Sequence, residues 1–193
     1  MTGHIKVGRW LPFRSVQVIV PTQGFVWVAR AGWGPLSVMG FDRYSEGAGE
    51  MRWLLDGRIP VMTATGPDVT RSAAGRVALD AVWLPHSFTD LRWEPGESEE
   101  SAVALRTVGK EETRVELQVG DDGSLRSVRM QRWSAPGKQP WGLHPCGGIV
   151  EAETTFDGIT IPSRLRVGYG IGTEQWAKGE FLRCEITDSA FLP

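Results

Sequence analysis

Thr113-Arg114-Val115-Glu116-Leu117-Gln118-Val119 alternates polar and apolar side chains. Successive side chains of a β-strand point to opposite faces, so Val115, Leu117 and Val119 share one face while Arg114, Glu116 and Gln118 share the other. The same period of two recurs outward from this stretch. Residues 25–33 place Phe25, Trp27, Ala29, Ala31 and Trp33 on one side, and residues 49–55 place Met51, Trp53 and Leu55 opposite Glu50 and Arg52. In 161–169, Ile161, Leu165, Val167 and Tyr169 oppose Arg164 and Arg166. Further strands are expected at 5–10, 13–20, 37–46, 59–65, 102–108, 125–133, 148–156 and 176–187.

Short turns tie these strands together. Asp157-Gly158 is the strongest two-residue hairpin signal, and Asp122-Gly123, Asp56-Gly57 and Gly47-Ala48-Gly49 mark other reversals. Links this short demand antiparallel neighbours, because parallel strands need a crossover of about a dozen residues or more. One helix breaks the pattern. Ala73, Ala74, Val77, Ala81 and Leu84 form a helical apolar stripe, with Asp68 or Thr70 as cap and Pro85 as stop. Gly75 weakens its interior, and Arg76 and Asp80 stand four apart, where they can pair. The segments 94–101 and 134–148 read as loops, the first acidic and the second rich in Pro and Gly. The expected architecture is mainly β. It is one curled, open antiparallel sheet of about ten strands with one helix packed in its concave face, forming a single domain over residues 1–193.

Composition narrows the function. The chain has 193 residues, 41% apolar and 23% charged, which excludes a disordered chain or a collagen. Its 21 basic and 23 acidic residues give a formal charge of −2, which argues against nucleic acid as the main partner. Cys146 and Cys184 are too few for a disulfide framework. No apolar run reaches the roughly 18 residues that span a bilayer, and the first residues lack the apolar core of a signal peptide. A cytoplasmic protein without a stable membrane anchor, monomeric or homodimeric, is expected.

Known catalytic signatures are missing. There is no Walker-type phosphate loop and no Gly-x-Ser-x-Gly elbow. Gly168-Tyr169-Gly170-Ile171-Gly172 ends a strand instead of opening a helix, so it lacks the context of a dinucleotide fingerprint. His144 and Cys146 are too few for a zinc site, and neither metal nor cofactor is expected.

What remains unusual is nine tryptophans. Each brings about 200 Å² of rigid apolar surface and an N–H that needs a partner. They build either a large core or an aromatic-walled cleft. In the second reading Trp27, Trp33, Trp53, Trp83, Trp133 and Trp141, with Met51 and His86, line a site for a hydrophobic small molecule. Polar residues stand where apolar ones would be expected: Asp80 just before Trp83, and Arg43 and Tyr44 within Phe41-Asp42-Arg43-Tyr44. Glu151 and Glu153 share a face of a late strand and read as solvated or ion-paired. A carboxylate in an aromatic cleft has its pKa raised by desolvation, which suits proton transfer near neutrality.

The run Arg9-Trp10-Leu11-Pro12-Phe13, then Gly24-Phe25-Val26-Trp27, Asp42-Arg43-Tyr44 and Gly47-Ala48-Gly49-Glu50, resembles an uncharacterised bacterial domain-of-unknown-function family. Ala81-Val82-Trp83-Leu84-Pro85, Arg92-Trp93-Glu94, Pro140-Trp141-Gly142 and Asp157-Gly158-Ile159 continue the similarity in order. That family is similar at fold level to the lipoprotein carriers LolA and LolB and the pigment-pathway enzyme VioE. The resemblance implies an open half-barrel with a hydrophobic cavity between sheet and helix, and it carries no catalytic residues to transfer. It directs attention to Arg43, Tyr44, Glu50, Arg76, Asp80 and Trp83. Relatives with an N-terminal membrane-spanning region differ from this chain, which begins near its first strand, in keeping with an unanchored protein.

The resulting expectation is a small cofactor-free enzyme that holds a large hydrophobic metabolite for ring closure, isomerisation or cycloaddition. Asp80 or Glu50 would move a proton, and Arg43 or Tyr44 would steady negative charge. The alternatives are a non-catalytic carrier or sensor of a hydrophobic ligand, and a scaffold whose indoles fill the core.

Overall fold

A computed structural model describes residues 1–21, 23–137 and 139–192. Thirteen strands form one antiparallel sheet. They are β1 (Thr2–Val7), β2 (Arg9–Val20), β3 (Gly24–Ala31), β4 (Val38–Ser45), β5 (Ala48–Leu55), β6 (Ile59–Ala64) and β7 (Arg92–Pro95). Then follow β8 (Ser101–Val108), β9 (Glu111–Val119), β10 (Leu125–Ser134), β11 (Gly142–Phe156), β12 (Ile159–Tyr169) and β13 (Glu180–Glu185). The helix α1 spans Pro67–Asp80, and α2 is one turn, Trp176–Gly179.

The strand order is β6-β5-β4-β3-β2-β1-β13-β12-β11-β10-β9-β8-β7. Two meanders therefore meet where the first strand pairs the last, and β6 and β7 form the two edges. Residues 65–91, α1 among them, carry the chain from one edge to the other. The connection crosses the face of the sheet, and α1 touches β3, β4 and β5 as well as β8, β9 and β10. Strands so far apart in order reach one helix only if the sheet bends around it. Register shifts in β5–β6, β9–β10, β11–β12 and β12–β13 supply local bends.

The inner faces follow the period of two. Phe13, Phe25, Trp27, Tyr44, Trp53, Val115 and Leu165 are buried against Ala73, Ala74, Val77 and Ala78 of α1. Small residues on α1 let the sheet approach closely. A Cβ on Gly49 would lie 2.7 Å from both the Thr70 Cα and the Val69 carbonyl, while the Gly49 N–H donates to Thr70 Oγ1 at 3.0 Å. Gly49→Ala is expected to push α1 off β5 and lower stability by about 1–3 kcal/mol. An unchanged urea midpoint would contradict that contact.

Several expectations are corrected. The strands number thirteen, not about ten. Gly8, with φ +69°, splits the expected 5–10 segment between β1 and β2. Arg92–Pro95 is too short to show a period, yet it pairs with β8 as an edge. The supposed loop after Ser134 becomes strand from Gly142, because Met130 through Ser134 provide a ladder for it. Trp176–Gly179 is a helical turn, not the start of a strand.

Neither Asp68 nor Thr70 caps α1. Gly66 does so with φ +106° and Pro67 opens the helix, leaving Asp68 to accept from the Trp133 indole at 2.9 Å. The helix ends at Asp80, and 3-10 turns at Ala81–Trp83 and Pro85–Phe88 follow. At Asp157-Gly158 and Asp56-Gly57 both residues have positive φ, as tight reversals require. Among the described residues no helix is long and apolar enough to cross a membrane.

Candidate functional site

On the inner face of the first meander, Gln17 lies opposite Trp27, Trp27 opposite Asp42, and Asp42 opposite Met51. A carboxylate thus sits between an indole and a thioether. Arg76 and Asp80, one turn apart on α1, descend onto this row. Arg76 Nη1 donates to Asp42 Oδ2 at 2.9 Å, and its Nε donates to Asp80 Oδ2 at 3.1 Å. The guanidinium lies over the Phe25 and Trp27 rings, 4.5 and 4.8 Å from their centroids. Trp53 Nε1 donates to Asp42 Oδ1 at 2.9 Å, and Gln17 Nε2 donates to Asp80 Oδ2 at 2.6 Å.

The two carboxylates differ in what is left open. Both Asp42 oxygens hold donors. Burial pushes its pKa above the usual carboxylate value, against the opposing pull of Arg76, Trp53 and Arg132. Asp80 uses Oδ2 for both of its bonds. Among the described residues Oδ1 accepts none, and it is not sealed from solvent.

This polar row floors a cleft of about 370 Å³ between α1 and the sheet. Ile5, Leu165, Val167 and Leu182 line the sheet side, with Trp83 and Trp141 also present. Trp83 is pinned by its Nε1, which donates to the Pro162 carbonyl at 3.0 Å. Arg132 enters from β10, donating through Nε to the Ser72 carbonyl at 3.1 Å and through Nη2 to Ser72 Oγ at 3.2 Å. A Cβ on Gly75 would sit 3.2 Å from Arg132 Cγ, so the glycine that weakens α1 makes room for the arginine stem. Cys146 lines the cleft and Cys184 lies in the core, both free and buried. Burial pushes the Cys146 thiol up and the Cys184 thiol up to about 12, so neither supplies a thiolate near neutral pH.

A larger hollow of about 760 Å³ opens where β9 and β10 stop pairing beyond Glu116 and Arg129. Among its charges, Arg71 pairs with Glu111 and Arg129 with Glu116 and Glu97. The smaller cleft, with apolar walls and buried titratable groups, is the better candidate for chemistry.

Of the residues expected at a site, Asp80, Trp27, Met51, Trp83 and Trp141 meet at the cleft. Trp53 stands behind them, its ring 5.5 Å from Trp27, and it holds Asp42. The others lie elsewhere and do not join Asp80 at the cleft. Arg43 and Glu50 are cross-strand neighbours on the outer face, paired at 2.7 Å. Tyr44 is buried on the inner face, but its hydroxyl abuts Gly109 at the β8–β9 turn. Trp33 is 64% exposed beside a 3-10 turn, and His86 is exposed. Trp133 lines the larger hollow with Arg71 stacked 4.1 Å from its ring.

Sequence reasoning overlooked Asp42, Gln17 and Arg132 as site residues. The signal for Asp42 was present: counting by twos from Tyr44 puts Asp42, not Arg43, on the inner face. The cation facing Asp80 is Arg76, already paired with it by spacing. Among the described residues no group of three His, Cys, Asp or Glu could hold a metal ion.

A family profile described as "Family of unknown function (DUF6544)" matches residues 1–181. No curated protein and no solved structure matches the chain.

Proposed function

The chain belongs to the DUF6544 family of unknown function, and from its own residues we propose that it is a cofactor-independent enzyme acting on a hydrophobic metabolite. The carrying observation is the asymmetry of Asp80. Arg76 and Gln17 lock one carboxylate oxygen in place, while the other accepts no hydrogen bond among the described residues and Asp80 lines the cleft. An oriented, unengaged carboxylate oxygen is what a general base needs.

In this reading the guest lies along Trp83, Trp141 and Leu165 with its polar end toward α1. Asp80 Oδ1 takes a proton from it. Arg76, fixed by Asp42, steadies the negative charge that develops. Ring closure, isomerisation or cycloaddition fits such a site, because holding a reactive shape supplies on the order of 7–11 kcal/mol without a cofactor. The bending of the sheet around α1 supports a half-barrel of the LolA and VioE kind. The alternative, a carrier of a hydrophobic ligand, draws on the apolar walls and on the pairing of Asp42 with Arg76 and Trp53.

Asp80→Asn separates the two. The amide can keep its oxygen toward Gln17 and Arg76 and turn its NH₂ to the cleft, so the fold survives while the open acceptor is lost. The protein is incubated with an apolar extract of its own host and followed by mass spectrometry. The wild type is expected to convert at least one component, and Asp80→Asn to do so about 100-fold more slowly or worse. Equal turnover removes Asp80 from the mechanism. A component bound by both proteins and altered by neither establishes the carrier.

A further inference from the structure

Arg132 stands apart from the other charged groups of the cleft. Arg76 is shared by Asp42 and Asp80, each within 3.1 Å. Arg132, half-buried and lining the same cleft, has no carboxylate within 4.0 Å among the described residues. Its oxygen acceptors are both on Ser72, reached through Nε and Nη2, and the Cys146 thiol lies in hydrogen-bonding reach. Nη1 has no acceptor among the described residues, and it is not sealed from solvent. The groups facing it are Tyr169, Cys146 and, beyond ion-pairing distance, Asp80 and Asp42. Burial pushes the Cys146 thiol up, so it brings no negative charge near neutral pH.

A guanidinium cannot shed its charge, and leaving it desolvated without an anion is costly. Ser72 lends two oxygens, which satisfy hydrogen bonds but bring no negative charge. At one end of the floor two carboxylates share a single cation; at the other a cation lacks a paired anion.

We propose that the cleft selects hydrophobic carboxylic acids, whose carboxylate pairs with Arg132 while the apolar body lies against Trp83, Trp141 and Leu165. This deepens the preceding reading and rests on it, since it needs a guest in the cleft. A carboxylate suits the site because a planar fork of N–H donors matches its two oxygens. One lone cation calls for a single negative charge, and the nearby Asp80 disfavours a doubly charged phosphate. The same arrangement sets the polar end of the guest near Asp80 Oδ1, where the proton transfer is placed.

The test compares probes that share an apolar body and differ in the head group, carboxylate against primary alcohol: decanoate against decan-1-ol, and 2-naphthoate against 2-naphthylmethanol. Binding is followed at pH 7 by the protein's own tryptophan fluorescence. The wild type is expected to bind each acid at least about tenfold more tightly than its alcohol. Arg132→Met is expected to abolish that preference while retaining alcohol binding, which shows that it is folded with its cleft intact. Arg132→Lys is expected to restore part of it. Equal binding of acid and alcohol by the wild type overturns the carboxylate preference and leaves the cleft reading standing. A preference that persists in Arg132→Met overturns the role of Arg132. Failure of all four probes to bind overturns both readings.

Discussion

Arg76→Met is expected to destabilise the fold by about 3 kcal/mol at pH 7, the largest single-residue effect in the cleft. Arg76 holds two carboxylates whose side chains are 14% and 13% exposed, Asp42 on β4 and Asp80 on α1. Removing the cation leaves two like charges facing each other in a poorly solvated place, and breaking a buried ion pair from one side typically costs about 3–5 kcal/mol. The lower end applies because none of the three side chains is fully sealed. Methionine keeps much of the packing over Phe25 and Trp27, so the loss is electrostatic. Two further outcomes identify the cause. The triple variant Arg76→Met, Asp42→Asn, Asp80→Asn should recover most of the lost stability, since neither carboxylate is then left without its cation.

The deficit should also shrink as pH falls. The folded-state pKa of Asp42 already lies above its unfolded value because burial disfavours its charge. Between those two values the folded state binds more protons than the unfolded state, so stability is highest at low pH and declines as pH rises. Loss of Arg76 raises that folded pKa further and widens the window. Urea denaturation from pH 7 down to pH 4 measures both effects. A deficit independent of pH, or one left uncorrected in the triple variant, would show that Arg76 acts through packing alone.

Glu180→Gln is expected to cost about 3 kcal/mol at neutral pH, with a pH signature of opposite sign. Glu180 is 3% exposed at the start of β13. Arg166 of β12 grips it with two bonds, Nε to Oε1 at 3.0 Å and Nη2 to Oε2 at 2.7 Å, and Arg183 Nε adds a third at 2.6 Å. The bond from Arg166 is the chief cause that brings the Glu180 pKa down to about 2, with Arg183 assisting against the opposing effect of burial. A depressed carboxylate contributes stability that is complete above its unfolded pKa of 4.5 and lost as pH falls toward about 2. That interval corresponds to about 3 kcal/mol. The wild type should therefore lose stability steeply on acidification below about pH 4.5, and the glutamine variant should lack that component. Parallel pH profiles for the two proteins would refute the assignment.

Much of the fold was legible because a strand writes its two faces into alternate positions. Val115-Glu116-Leu117 and Leu165-Arg166-Val167 declare which side is wet before any partner is known. The meander followed from turn chemistry at Asp157-Gly158 and Asp56-Gly57, where positive φ is a local property. Less legible were elements whose form depends on a neighbour. Gly142 through Cys146 contain Pro145 and little periodicity, yet become strand because β10 lies alongside. Arg92–Pro95 is a strand only because β8 needs an edge partner.

The site divides in the same way. Arg76 and Asp80 pair by helical spacing, and Trp27 and Met51 take the inner face by alternation, so these were readable. Arg43 and Glu50 misled because a charged pair inside a strand looks functional, when parity places both on the outer face. Arg132 had no local signal, since its importance comes from what is absent around it.

By itself the sequence determined a mainly β antiparallel chain with one amphipathic helix, because period and turn type are properties of a few consecutive residues. Only the tertiary structure decided that the connection carrying the helix crosses from one edge of the sheet to the other, that Asp42 and Arg132 join Arg76 and Asp80, and that a cleft remains between them. Joining Asp42 to Arg132 alone brings together residues 90 positions apart. Charge compensation and empty volume are sums over everything within a few ångströms, and no stretch of chain contains that sum.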